Sequence, residues 1–247
     1  MIQFLKTSLG KYKTILFRKL IPSYRKVRGV AEEKNHWERL FSSKESLFSD
    51  PDFKNRADPD RLLQPEFAKL LESTTGDPLV LDVGCGPLST IGIVFQNRRV
   101  DLHGADPLAA EYQKLLDSIG VAANCKLVNC PGQELVKTYG ESKFDLVASV
   151  NALDHSESPM DVFKEMVGVC KVGGYIFLSH CENEGIHERY HGMHQWNFRK
   201  EGNKLVANDG VRSYELIAGL SNVVVAEERT IPAKPRPFLE WTFKKIG

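Results

Sequence analysis

The sequence predicts an α/β fold in which a doubly wound, mostly parallel sheet carries helices on both faces, with a helical appendage at the N terminus. From residue 79 onward, short apolar runs alternate with helical segments at a spacing that implies parallel strands joined by right-handed crossovers. A Gly-Cys-Gly turn follows the first of these runs directly. A glycine turn at that point is typical of sheets that bind a ligand at the carboxyl ends of their strands.

The composition favours a globular domain with a small appendage. The chain has 247 residues, of which 42% are hydrophobic and 26% charged, and its net charge is +1, which gives no support for general nucleic-acid binding. Its five cysteines contain no CxxC pair, which argues against a disulfide framework and a cysteine-rich zinc module. The same cysteine pattern suggests a reducing compartment, so we expect a cytoplasmic location. Because no run of about 18 apolar residues occurs, we expect no transmembrane helix.

Residues 1–31 carry eight basic side chains and no acidic one. Apolar residues recur there at steps of three or four, which predicts an amphipathic helix that Pro22 ends. Such a helix can bind anionic lipids at the inner membrane surface as a peripheral contact. The preferred interpretation is that the helix packs on its own domain or on a protein partner.

Between residues 32 and 76 the sequence is polar and predicts a helical cap, with turns at residues 50–51 and 58–59 and a helix from Pro65 to Leu71. The alternating core follows at 77–180. Its predicted strands are 79–83, 101–105, 126–130, 144–150 and 175–180, and its predicted helices are 109–119 and 159–169.

The alternation stops after residue 180. Residues 181–209 form a predicted insert on the substrate side, in which 197–208 read as a hairpin. The C-terminal part, 210–247, contains two further predicted strands at 223–228 and 238–244.

The turn after the first predicted strand suits a nucleoside without a pyrophosphate. Gly84 and Gly86 let the backbone turn sharply beside a ligand, and Asp106, at the end of the second strand, can accept hydrogen bonds from ribose hydroxyls. A dinucleotide fingerprint requires a third glycine where Ser89 stands. Pro87 also removes a backbone N–H that a pyrophosphate would use.

Three segments resemble the class I S-adenosylmethionine-dependent methyltransferases. They are residues 80–87 (VLDVGCGP), 144–147 (FDLV) and 171–174 (KVGG), within a resemblance that covers roughly residues 65–180. The resemblance implies a seven-stranded sheet with an antiparallel last strand, a methyltransferase domain over 32–247, and S-adenosyl-L-methionine as cofactor.

The resemblance also implies cofactor contacts. Gly84, Cys85 and Gly86 would lie against the amino-acid part of the cofactor, and Asp106 would bind its ribose. Asp82 would hold the turn or reach the methionine amine through water. Further cofactor contacts would come from Asn151 or Leu153, and from Gln133 or Glu134 at the adenine or its ribose; Glu134 reads equally well as an exposed acid in the first turn of a helix.

The acceptor side is expected after the fourth and fifth core strands. Asp154 and His155 would face the substrate, with His155 as a general base or, alternatively, a structural residue at a helix start. The insert is rich in histidine and amide side chains that suit a polar acceptor. Its candidate substrate-binding residues are His180, His191, His194 and Trp196.

Residues 187–191 also match the HExxH pattern, which on a helix would place His187 and His191 on one face. We prefer a solvated or substrate-lining loop there and expect no metal site, with a divalent metal that assists methyl transfer as the alternative.

These features predict a methyltransferase that acts on an oxygen or nitrogen of a polar small molecule, such as a sugar or glycan intermediate. A membrane-associated lipid or quinone methyltransferase and a non-catalytic, cofactor-binding partner subunit are the alternatives. We do not expect a nucleic-acid substrate, because residues 151–154 lack the Asn/Asp-Pro-Pro-aromatic signature.

Overall fold

The computed structural model describes residues 22–247, so residues 1–21 of the predicted basic helix lie outside the described residues. Pro22 begins helix α1 (Pro22–Leu40), which continues without a break across residue 31. Proline is favoured in the first turn of a helix, because its missing N–H would have no partner there and its φ is already helical.

Three shorter helices complete the helical cap: α2 (Lys44–Phe48), α3 (Pro51–Arg56) and α4 (Pro65–Leu71). The Asp50-Pro51 pair, predicted as a turn, is a helix start in which the Asp50 carboxylate accepts from the backbone N–H of Asp52 at 2.9 Å. Phe41, Leu47 and Phe53 from the cap are buried together with Leu88 and Leu116 of the core. The cap is therefore packed onto the core.

A seven-stranded sheet forms the centre of the molecule, as the resemblance implies. In chain order the strands of the protein are β1 (Leu79–Val83), β2 (Val94–Phe95), β3 (Arg98–Arg99), β4 (Asp101–Asp106), β5 (Lys126–Asn129), β6 (Phe144–Val150), β7 (Cys170–Cys181), β8 (Asn197–Glu201), β9 (Lys204–Asn208), β10 (Ser213–Glu215), β11 (Val223–Ile231) and β12 (Phe238–Lys245). The strand order in the sheet is β11-β12-β7-β6-β1-β4-β5. Strand β12 is antiparallel to both of its neighbours, and the other pairs in this sheet are parallel.

Both faces of the sheet are buried at its central strands. Successive residues of β1 point to opposite faces, so Val80 packs in the cluster beneath α4 and Leu81 in the larger cluster on the other face. The remaining helices are α5 (Ala109–Ser118), α6 (Leu135–Tyr139), α7 (Pro159–Val169) and α8 (Glu184–His187).

The connection from β1 to β4 departs from strand–helix alternation, because it contains the β2–β3 hairpin instead of a helix. Gln96 and Asn97 at its tip have φ of 49° and 62°, the left-handed pair that a two-residue hairpin turn requires. The predicted insert hairpin is present as β8–β9, and β10 extends it to a three-stranded sheet. Among the described helices, none has the length and apolar character needed to cross a bilayer.

Two leucines that lie close in sequence test how α4 is held. Leu71 is fully buried, whereas Leu62 is 72% exposed. Leu71→Ala should lower the free energy of unfolding by about 2–5 kcal/mol, because it removes buried methyl groups and leaves a cavity. Leu62→Ala should change it by less than about 0.5 kcal/mol. Urea unfolding of both variants measures this, and equal effects would contradict the packing of α4 on the sheet.

Candidate active site

The turn after β1 is built from two glycines with left-handed backbones, Gly84 with φ of 74° and Gly86 with φ of 61°. The Gly84 N–H donates to the Ala105 carbonyl at 2.8 Å, which fixes the turn to the end of β4. A Cβ on Gly84 would overlap the side chain of Ala152. Gly84 is therefore required both by its positive φ and by its close contact with Ala152. The turn lies at the carboxyl ends of β1, β4 and β6.

Asp106 connects this turn to the start of α5. Its Oδ2 accepts from the Gly86 N–H at 3.2 Å and its Oδ1 accepts from the Leu108 N–H at 2.8 Å. Burial raises the pKa of Asp106 to about 6, although both backbone hydrogen bonds lower it. Each carboxylate oxygen keeps a further lone pair for a ligand hydroxyl.

Asp82 has the turn-holding contact that is one of its two predicted roles. Its Oδ2 accepts from the Ser89 hydroxyl at 2.6 Å, and Ser89 Oγ in turn accepts from the Ile91 N–H at 3.0 Å. Burial raises the pKa of Asp82 to about 6. Ser89, where a dinucleotide fingerprint would have glycine, thus fixes the chain beyond the turn. The Cys85 side chain is buried next to Gly104 and Cys125.

Helix α1 covers the glycine turn, and this contact was not predicted from the sequence. A Cβ on Gly86 would stand 3.9 Å from Trp37 Cζ2, and the Trp37 indole N–H donates to Glu33 Oε1 at 2.7 Å. Trp37 also packs edge-to-face on Tyr112 of α5, with 5.8 Å between the ring centroids. A tryptophan in a polar helix was the one signal in the sequence for this contact.

The same helix reaches the insert. Gly29 packs so closely on Met193 that a Cβ there would overlap the thioether sulfur. Three residues further along α1, Glu32 Oε2 lies 3.9 Å from Nδ1 of His191, whose side chain is otherwise exposed. Helix α1 therefore contacts both the glycine turn and the insert of residues 181–209.

The segment that follows β5 begins beside Asp106, because the Cys130 N–H donates to the Asp106 carbonyl at 3.1 Å. Gln133 and Glu134 lie in a short 3-10 turn after it. Glu134 forms an exposed ion pair of 2.9 Å with Lys137, as the first-turn interpretation expects. The predicted adenine contact of this pair stays a prediction.

The segment after β6 runs along the glycine turn. Asn151 has φ of 50°; its N–H donates to the Ser179 carbonyl at 2.7 Å, and its Oδ1 accepts from the Cys181 N–H at 3.1 Å. Asn151 thus ties the ends of β6 and β7 together. Ala152 contacts Gly84, and Leu153 is buried in the main core cluster. These contacts place Asp154 and His155 directly beyond the turn.

Asp154, His155 and His194 converge on one another. Asp154 Oδ2 lies 2.7 Å from His194 Nδ1 and 3.7 Å from His155 Nε2, and the two imidazole nitrogens are 3.2 Å apart. Asp154 is fully buried, whereas the two histidines are partly exposed, with 29% and 26% of their side chains accessible. The sequence predicted a role for each of the three residues without predicting that they meet.

The cluster holds Asp154 as a carboxylate. Burial alone would raise the pKa of Asp154, but the neighbouring His155, His194 and His180 outweigh burial and lower it. Burial likewise opposes the charged form of His194, yet the bond to Asp154 raises the pKa of that imidazole. The pair is thus stabilised as carboxylate and imidazolium.

Two other residues that were predicted to bind the substrate, His180 and Trp196, are buried and contact other groups of the protein. His180 is buried and stacks on Phe198 with ring centroids 4.3 Å apart, and burial lowers its pKa to about 4. Trp196 is buried, and its indole N–H donates to the Ser156 carbonyl at 3.0 Å, so its hydrogen-bonding group is engaged within the protein. Substrate contacts from these side chains and from His191 stay predictions.

The HExxH segment does not form the helical turn that its metal-binding alternative requires. Helix α8 ends at His187, and Arg189 and Tyr190 take φ of 50° and 56°. The two histidines of the pattern therefore do not lie one turn apart on a helical face. Within residues 22–247, the group of side chains with metal-ligand geometry is Asp154, His155 and His194 instead.

Comparisons with known proteins agree with this architecture. Residues 81–178 match a family model described as a methyltransferase domain. No curated protein sequence matches the chain.

Solved structures with similar folds share little sequence with the chain. Magnesium protoporphyrin IX methyltransferase from Synechocystis PCC 6803, solved with bound SAM, is 13% identical, with a TM-score of 0.50 over 93% of this chain and 95% of its own. The Burkholderia thailandensis 1,6-didemethyltoxoflavin-N1-methyltransferase is 17% identical, with a TM-score of 0.49 over 88% and 89%. The N-methyltransferase NodS from Bradyrhizobium japonicum is 13% identical, with a TM-score of 0.49 over 80% and 98%.

The predicted ribose contact of Asp106 implies a pH dependence of cofactor binding. Ribose hydroxyls would donate to the ionised carboxylate, and the pKa of this group is raised to about 6. Affinity for S-adenosylhomocysteine should therefore be constant above about pH 7 and fall by up to about tenfold per pH unit below pH 6. Calorimetric titrations across this range measure the slope.

The matched variant is Asp106→Asn, which keeps the shape of the side chain and removes its charge. This variant should bind S-adenosylhomocysteine about 30- to 700-fold more weakly than the wild type at pH 7.5. This loss is the equivalent of about 2–4 kcal/mol for two charge-assisted hydrogen bonds. Its pH dependence should also be flatter. Wild-type affinity in this variant would show that the ribose does not bind at Asp106.

Proposed function

We propose that this chain, which carries a class I S-adenosylmethionine-dependent methyltransferase domain and takes its methyl group from S-adenosylmethionine, methylates an oxygen or nitrogen of a polar small molecule. A sugar or glycan intermediate is the acceptor class that fits best. The observation that carries the proposal is the Asp154, His155 and His194 cluster, which begins two residues after the contact of Ala152 with the glycine turn.

Position supports an acceptor at this cluster. The glycine turn holds the amino-acid part of the cofactor in this family, so the reactive methyl group comes close to the segment that touches the turn. His155 and His194 present partly exposed imidazoles from that segment and from the insert. Methyl transfer needs the acceptor atom in line with the methyl group and little water around it. The imidazoles of His155 and His194 would orient the acceptor and exclude water from it.

Enclosure supports a small acceptor. Helix α1 packs at Gly86 on the cofactor side and at Met193 on the insert side. A macromolecular acceptor would need an open cleft where this helix lies, whereas a small molecule can be held beneath it. The histidine and carboxylate groups around the cluster favour an acceptor with several hydrogen-bonding groups.

Charge supports proton transfer from the acceptor. As the acceptor attacks the methyl carbon, its proton must leave, and an imidazole within reach can take it. The buried Asp154 carboxylate, whose pKa is lowered, then stabilises the positive charge that His155 acquires. In this scheme His155 is the base, and Asp154 and His194 position it.

A labelling experiment tests the acceptor class. Cell extract of the source organism is incubated with the purified chain and methyl-deuterated S-adenosylmethionine, and small molecules and lipids are analysed separately by mass spectrometry. The proposal expects deuterium in a polar small molecule. Label in the lipid fraction would support the membrane-associated alternative, which the eight basic side chains of residues 1–31 favour. Normal cofactor binding without any labelled product would support the non-catalytic subunit.

His155→Ala should lower kcat by about 10²–10⁴-fold while the affinity for S-adenosylhomocysteine stays within about twofold, because general-base assistance has this magnitude. His187→Ala is the matched control, since this histidine is exposed at the end of α8 in the same insert, and its kcat should stay near that of the wild type. Single-turnover rates with the identified acceptor measure both. Full activity in His155→Ala would remove this residue from the mechanism.

A further inference from the structure

We infer that Asp154, His155 and His194 form a binding site for a divalent transition-metal ion of the zinc class, with an open position that faces the acceptor. Binding of the ion rests on the geometry and the burial of these three side chains. Only its catalytic consequence rests on the proposed function.

The ligand atoms already form a triangle of the right size. Their separations are 2.7, 3.2 and 3.7 Å. Two ligands that bind zinc at about 2.0–2.1 Å with tetrahedral angles stand about 3.3–3.4 Å apart. Shifts of a few tenths of an ångström would therefore place all three atoms around one ion.

Hydrogen bonding alone cannot satisfy this triangle. His194 Nδ1 lies within hydrogen-bonding distance of both Asp154 Oδ2 and His155 Nε2, yet one proton on Nδ1 can serve only one of these contacts well. If that proton points to the carboxylate, Nδ1 has no lone pair left to accept from His155. A cation at the centre of the triangle instead accepts one lone pair from each of the three atoms.

A second, independent observation is the buried Asp154 side chain. Its Oδ1 is inaccessible to solvent and has no hydrogen-bond partner within residues 22–247. A buried carboxylate oxygen without a partner is unfavourable, and a bound cation offsets this cost by neutralising the carboxylate. Both nitrogens of His180, which lies close enough to lower the pKa of Asp154, also have no partner in this part of the chain.

The ligand set indicates the class of ion. Two imidazole nitrogens and one carboxylate oxygen suit zinc, iron, cobalt or nickel better than magnesium or calcium, which prefer oxygen ligands. Three protein ligands leave at least one coordination position open, as in catalytic zinc sites. The partial exposure of both histidines places that position toward solvent and the acceptor.

The ion would act on an acceptor hydroxyl by lowering its pKa. The hydroxyl proton then passes to solvent, the C–O bond forms as the C–S bond of the sulfonium breaks, and the electron pair of that bond remains on sulfur. No oxidant or reductant is needed. In this form of the enzyme His155 is a ligand, and the ion promotes the loss of the acceptor proton in its place.

The test measures metal binding directly, without an acceptor. The full chain is treated with a chelator, dialysed, and titrated with Zn²⁺ by calorimetry and with Co²⁺ by visible absorption. The expected result is one equivalent of each ion and a cobalt spectrum typical of four- or five-coordinate nitrogen and oxygen ligands. His155→Ala and His194→Ala should each weaken Zn²⁺ binding by at least about 100-fold, because the loss of residues that only support metal ligands already costs about 10–100-fold.

The matched control is the His187→Ala/His191→Ala double variant, which removes the two histidines of the HExxH pattern and should bind Zn²⁺ like the wild type. Binding of S-adenosylhomocysteine by every variant verifies that each one is folded. Lack of Zn²⁺ and Co²⁺ binding in the wild type, undiminished binding in both single variants, or loss of binding in the double variant would each overturn the site.

Failure of the metal site and failure of the proposed function are distinguishable. If methyl transfer to a polar small molecule survives exhaustive chelation and no ion binds, the metal site is wrong and the imidazole base stands. If the ion binds with the expected variant pattern but label enters only lipids, the metal site stands and the acceptor class is wrong.

Discussion

The contact between the Gly84 turn and Ala152 is the constraint on which the rest of this site depends. Because a side chain at Gly84 would overlap Ala152, the turn after β1 and the segment after β6 can meet only if the turn residue is glycine. This contact brings the glycine turn within a few residues of the cluster of Asp154, His155 and His194. Asp106 then fixes the turn from the β4 side through the Gly86 N–H.

The central strands β1 and β6 could be predicted closely from the sequence, because a short apolar run that is buried on both faces is typical of a parallel strand. The strand ends predicted at 79–83 and 144–150 coincide with β1 and β6. The β2–β3 hairpin could not be predicted with the same rule. Its strands are two residues long, and its only local signal is the Gln96-Asn97 pair at the tip.

The sequence suggested several residues of the candidate site but not how they come together. Asp106 and Asp154 were identified from their positions after strands, which sequence spacing specifies. The meeting of His155 with His194, 39 positions away, depends on how the insert folds back over the end of β6. The covering of the turn by Trp37 likewise depends on the path of α1, which no local pattern encodes.

Helix α1 packs on Gly86 through Trp37 and on Met193 through Gly29, so any displacement of this helix would disturb the glycine turn and the insert together. Two ligands that bound at these two places, and that both required α1 in this position, would share the free energy of holding it there. By linkage, their coupling free energy would be the same whichever of them bound first.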